Sequence, residues 1–161
     1  MKFVLAATFL LIAAVALVLV ARFAIARLTP QAQNLMHEGR LQNCQSTLKC
    51  YQVSVPVTAI SQTQNQPTAS DSKTANTILQ QLIDTALAQP RTELVRQMGN
   101  YVHITFKTRW LGYTDDLEVL IDADHVNCKS ASRIGRSDLG VNQKRVKHLF
   151  NAAGISLEPV H

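Results

Sequence analysis

An apolar run at the start of the chain sets the first limit on what it can fold into. Residues 3–21 contain one polar side chain, Thr8. At helical rise they cross roughly 28 Å, about the hydrocarbon thickness of a bilayer. A core helix of a globular protein carries an apolar stripe, not an apolar circumference sustained over about five turns. Residues 1–27 therefore read as a transmembrane helix with Arg22 and Arg27 as its basic flank. Ala24-Ile25-Ala26 offers a small-x-small site, so cleavage after Ala26 is the alternative. The run is longer than a signal-peptide core and Arg22 interrupts it, which favours a retained single-pass anchor. The first cysteine is Cys44, so there is no lipoprotein box.

The chain has 161 residues, enough for one domain behind such an anchor. Its formal charge is +5, but removing Lys2, Arg22 and Arg27 from 16 Lys and Arg leaves 13 against 11 Asp and Glu. The remainder is near neutral and unevenly spread. Asp115, Asp116, Glu118, Asp122 and Asp124 crowd one hairpin, and Lys129, Arg133, Arg136, Lys144, Arg145 and Lys147 crowd the C-terminal region. That polarity suits internal pairing or a local anion site, and the basic run lacks the interleaved aromatics of a nucleic-acid surface. Lys2 and the amino terminus lie on one side of the span and Arg22 and Arg27 on the other, so the positive-inside signal nearly cancels. Cys44 and Cys50 flank five residues, a spacing a disulfide can close in an oxidising compartment, with two unrelated thiols as the alternative. Cys128 reads as a small buried hydrophobe.

Residues 28–49 are polar with weak periodicity and read as a tether, leaving 50–161 as the folded domain. Tyr51, Val53, Val55 and Val57 alternate along a strand, which Pro56 places at a sheet edge. Residues 61–70 read as an exposed loop. Ala75, Ile78, Leu79, Leu82, Ile83, Ala86 and Leu87 fall at helical spacing, with Ser70 or Asp71 as N-cap and Pro90 as the stop. Strands follow at 92–97, 101–108, 114–121 and 126–131. Val102, Ile104 and Phe106 share one face, as do Leu117, Val119 and Ile121, with Asp116 and Glu118 opposite. The last helix takes Asn142 as N-cap, with Val141 and Val146 at hydrophobic-staple spacing and Gly154 as the C-cap. The expected fold is α+β: an antiparallel sheet of about five strands packed by two helices.

The acidic hairpin reads as a solvated face or as partners for Lys107 and Arg109. It lacks the convergence a metal site requires, and neither a metal nor a cofactor is expected. His37, His103, His125, His148 and His161 show no zinc spacing, and the chain has no phosphate loop or dinucleotide fingerprint. The densest cluster of special residues is KSASRIGRSDLGVNQKRV at 129–146. A helix N-terminus is an anion site, Arg133 and Arg136 could add forked contacts, and Gly135 and Gly140 would let a ligand approach backbone. The alternative is structural: Arg133 pairs with Asp115, Asp116 or Asp138, and the glycines only make turns.

This stretch closely resembles the signature of the family called domain of unknown function 1499. Upstream, PRT at 90–92, YVH at 101–103, GYTDDLE at 112–118 and ID at 121–122 fit the same pattern, so the resemblance covers about residues 72–153. The family also opens its domain with two cysteines spaced as Cys44 and Cys50 are. The chain departs there, carrying Leu48-Lys49 before the second cysteine and Tyr51-Gln52-Val53 after it. The resemblance implies a recurring signature and no particular reaction.

The expectation is a single-pass protein of a bacterial inner membrane, with its domain in the periplasm as part of the cell envelope. Its role would be to bind an anionic small molecule, a lipid head group or an envelope protein, with no nucleic acid as partner. The candidate contacts are Ser130, Ser132, Arg133, Arg136, Ser137, Asp138 and Asn142, with Asp115, Asp116 and Glu118 as electrostatic partners. The alternatives are a structural or assembly factor of the envelope, and a metal-independent hydrolase using Asp116 or Glu118 with Arg133 and His103.

Overall fold

The computed structural model describes residues 2–32, 35–57, 71–122, 125–155 and 157. Helix α1 runs Lys2–Leu28, and it is long and apolar enough to cross a membrane. Beyond it lie β1 (Cys50–Pro56), α2 (Asp71–Leu87), β2 (Thr92–Met98), β3 (Tyr101–Lys107), β4 (Thr114–Asp122), β5 (His125–Ser132) and α3 (Val141–Ala152). The fold is α+β, as the periodicities predict. The expected loop at 61–70, its Ser70 cap, the Asp124 turn and His161 lie outside the described residues.

The five strands form one antiparallel sheet in the order β1-β5-β4-β3-β2. β1 is an edge, where Pro56 withholds no ladder hydrogen bond from a second neighbour. It pairs with β5, Val53 opposite Cys128. Short turns link β2 to β5 in sequence, and a bulge between Leu94 and Arg96 interrupts β2 at the other edge. The helices cover one face: α2 lies over β2 and β4, α3 over β1 and β5, and the two touch each other. Between them sit Ile78, Leu82, Ile104, Leu117, Val119, Val126, Val146, Leu149 and Phe150, all nearly inaccessible to solvent. Each large apolar side chain so buried contributes roughly 1.5–3 kcal/mol. Cys128 lies among them; burial, with Glu118 nearby, pushes its thiol pKa up and leaves it a neutral core residue.

The other face departs from expectation. Its register aligns Gln52, Lys129, Glu118, His103 and Arg96 as one row across all five strands. Alternation puts Asp116 and Glu118 on a polar face, solvated or paired with Lys107 and Arg109, yet both are buried, as are Tyr101, His103 and Lys129. The segment leading out of α1 covers them. Met36 donates its backbone N–H to Glu118 Oε1 (2.7 Å), Lys129 Nζ donates to the Gln42 carbonyl (3.0 Å), and Cys44 N–H reaches Gln52 Oε1 (3.2 Å). Cys44 and Cys50 are joined by a disulfide, which fixes the end of this segment at the start of β1.

Candidate functional site

The signature begins in β5, crosses a loop and ends in α3, so it touches both faces of the sheet. On the helix side, Asn142 is fully buried. Its Oδ1 accepts from Ser130 Oγ (2.6 Å), and its Nδ2 donates to Ser132 Oγ (3.0 Å) and to the Lys49 carbonyl (3.1 Å). Arg145, one helical turn on, donates to Ser130 Oγ and Asn142 Oδ1 and pairs with Asp115 Oδ2 at 2.7 Å. Its guanidinium also lies 4.3 Å from the Phe106 ring centre.

Asn142 is therefore not the N-cap that its spacing suggests. The cap position is Gly140, in the left-handed region at φ 78°. The capping side chain is Asp138, whose Oδ1 accepts from Gly140 N–H and Oδ2 from Asn142 N–H, each at 2.9 Å. The staple is also absent, because Val141 is the first helical residue and is half exposed. Asp138 thus occupies the N–H groups a bound anion would have used. Burial raises the Asp138 pKa, but the backbone N–H groups of Asn142 and Gly140 outweigh it and hold the carboxyl below its usual range. At the far end Gly154 follows the Ala153 cap, and Ile155 N–H closes on the Phe150 carbonyl at 2.8 Å.

On the opposite face Arg133 grips Asp116 with two parallel bonds, Nε to Oδ2 at 2.9 Å and Nη2 to Oδ1 at 2.8 Å. His103 Nε2 lies 2.7 Å from the same Oδ1. Beside them Glu118 is wholly buried, with Lys129 Nζ at 2.7 Å and the Tyr101 hydroxyl donating at 2.8 Å. Burial and then the Glu118 charge push the Tyr101 pKa up, so the phenol stays a neutral donor. Asp115, Asp116 and Glu118 are consequently neither solvated nor paired with Lys107 and Arg109, while Asp122 at the end of β4 is exposed. Lys107 reaches Glu93 (3.1 Å), and the Arg109 carbonyl accepts from Arg22 (3.3 Å). Asp115 and Asp116, adjacent in β4, point to opposite faces and neutralise different arginines.

The candidate residues therefore fall into two groups. Ser130, Ser132, Arg133, Asp138 and Asn142 are engaged within the protein. Arg136 and Ser137 stand exposed on the loop crest, with the Ser137 Oγ accepting from Leu139 N–H (3.2 Å) and Leu139 itself 87 % exposed. Leu139 adopts φ 55°, a left-handed conformation that costs a non-glycine residue roughly 1–2 kcal/mol. Below the crest is a groove of about 420 Å³ lined by Thr108, Tyr113, Ile134, Gly135, Leu139 and Val141 among others. Sequence reasoning missed Lys129, Tyr101 and Arg145 as partners. The available signal was only that Lys129 and Arg145 bracket the signature.

Asp116 makes stability depend on pH. Its burial favours the neutral form, but the hydrogen bonds from His103 and Arg133 prevail and its pKa is lowered. A carboxyl with a lowered folded pKa stabilises fully above its unfolded value, about 3.9, and loses that contribution as pH falls through the folded value. The urea midpoint should hold steady from pH 7 to about 5 and fall below about pH 4. Asp116→Asn, compared with wild type across this series, should lower the neutral midpoint and flatten the acid limb.

These features define an α+β domain behind an apolar N-terminal helix, with a signature that ties the last strand to the last helix. The pattern of the family described as "Protein of unknown function (DUF1499)" matches residues 40–152, and the chain belongs to that family. No curated protein matches the sequence. A solved structure, the vertebrate conserved region of human METTL16, aligns with a TM-score of 0.39 at 16 % identity, over 65 % of this chain and 98 % of that one.

Proposed function

We propose that the chain is a membrane-anchored, non-enzymatic binding module that takes an anionic amphiphile, such as a lipid head group, at the crest of its signature. The observation that carries this reading is the division of the signature. Its buried half is spent on the fold, while Arg136 stands exposed on the crest between Gly135 and Ser137, two residues that line a groove walled by Ile134, Leu139, Val141 and Tyr113. An exposed guanidinium suits a phosphate or carboxylate, and the apolar wall suits the chain attached to it. The Cys44–Cys50 disulfide supports the oxidising, periplasmic side of an inner membrane.

Titrating the full chain in nanodiscs of zwitterionic lipid with soluble dihexanoyl phosphatidate should give saturable heat. Arg136→Ala should weaken binding about tenfold, the equivalent of one charge-assisted hydrogen bond. Equal affinity in the variant, or no saturable binding at all, would count against the proposal and leave a structural envelope factor as the better reading.

A second reading has one favourable observation. His103, Asp116, Glu118 and Arg133 converge on one face, as a hydrolase would require, and His103 lines a cleft of about 430 Å³ with Arg96 and Tyr101. Against it, His103 is 3 % exposed and both carboxylates are already held by cations.

A further inference from the structure

The turn between β3 and β4 carries Arg109 and Trp110, and Trp110 is 68 % exposed. A large aromatic side chain so exposed on a turn suits an environment that is neither core nor bulk solvent. The Arg109 guanidinium lies over the Trp110 ring, 5.1 Å from its centre. The pair presents one flat apolar face and a cation at its edge, the chemistry that settles at the head-group level of a bilayer.

Position points the same way. Arg22 Nη1 donates to the Arg109 carbonyl at 3.3 Å. Arg22 directly follows the apolar run of residues 3–21 and precedes the end of α1 at Leu28 by six residues, about 9 Å of helix. The turn therefore reaches back alongside the helix, from the domain toward the bilayer, to the level where the apolar run ends. Thr108 and Tyr113, at the base of this turn, line the same groove as Leu139 and Val141. The turn and the signature crest are thus one continuous end of the domain, and its exposed apolar residues are Trp110, Tyr113, Leu139 and Val141.

We infer that this end of the domain is a second membrane contact, with Trp110 and Leu139 seated in the interfacial layer of the bilayer that α1 spans. This rests on the anchored reading of α1 and adds to it an orientation. The domain lies down on the lipid beside its helix, and the groove opens at the surface where amphiphiles are found. Arg22, Arg109 and Arg136 would sit among anionic head groups. The strained Leu139 backbone then has a consequence, because it directs a leucine outward into a layer that receives it.

Trp110 is the sole tryptophan, so its emission reports this one turn. The full chain is reconstituted in phosphatidylethanolamine–phosphatidylglycerol vesicles, with or without lipids brominated near the carbonyl end of the acyl chains. Brominated lipid should quench Trp110 by roughly half, with iodide nearly ineffective, as for tryptophans of interfacial belts. The same result is expected at the crest from Leu139→Trp made in a Trp110→Phe background. Flotation after an alkaline carbonate wash, run on the same vesicles, separates the two claims. If the chain floats but Trp110 is quenched by iodide and not by bromolipid, the orientation is wrong and the anchor stands. If the chain is stripped from the vesicles, the anchor fails and this inference falls with it.

Discussion

Replacing Glu118 by Ala is expected to lower stability by about 3–5 kcal/mol, the cost of breaking a buried ion pair from one side. Glu118 is completely buried at the centre of the sheet, and its two oxygens meet Lys129 Nζ, the Tyr101 hydroxyl and the Met36 N–H. Removing it takes the carboxylate from a lysine whose own side chain is 4 % exposed, and from a phenol and a backbone donor. The loss should also loosen the segment before β1, because Met36 and the Gln42 carbonyl dock on this pair. Urea denaturation of the full chain in mild detergent, followed by circular dichroism, reads the first effect. Amide exchange at Met36 reads the second. The double replacement of Glu118 by Leu and Lys129 by Met should recover most of the loss, since an apolar pair carries no desolvation cost. A single variant that loses less than about 1 kcal/mol, the value of an exposed pair, would mean that water reaches Glu118.

Much of this architecture was legible in the sequence, and particular residues show why. Val102, Ile104 and Phe106 in β3, with Leu117, Val119 and Ile121 in β4, alternate with period two, and both sets face the helices. Pro56 marked an edge strand, and β1 is one. Alternation states which residues share a face, but not whether that face is wet. It puts Asp116 and Glu118 on one face, solvated or paired with Lys107 and Arg109, whereas both are buried beside His103. Their cover comes from the described residues 29–32 and 35–49, polar stretches whose docking contacts include backbone groups such as the Met36 N–H and the Gln42 carbonyl. Backbone groups carry no sequence signal.

The signature departs from its sequence pattern for a similar reason. Asn142 has the residue type and flanking valines of an N-cap, yet Asp138 takes that role because two glycine-assisted turns bring its carboxylate over the helix start. Asn142 is thereby freed to join Ser130, Ser132 and Arg145 in a network that depends on register between β5 and α3. Register of that kind cannot be inferred from one strand or one helix read alone.

Two arginines divide the labour within the signature: Arg133 serves the fold and Arg136 serves the surface. Arg133 gives Asp116 two short bonds and holds the loop against the Pro30 carbonyl, while its own pKa is raised, first by its hydrogen bond to Asp116. Three positions on, Arg136 is exposed and faces no carboxylate among the described residues. Arg133→Ala should therefore lower stability by about 2–3 kcal/mol, the cost of leaving a buried carboxylate with part of its hydrogen bonding. The most direct measurement is the urea midpoint of the full chain for Arg133→Ala and Arg136→Ala, side by side at pH 7. The expected result is a large fall for the first and an unchanged midpoint for the second. Equal midpoints, or a fall confined to Arg136→Ala, would contradict the account.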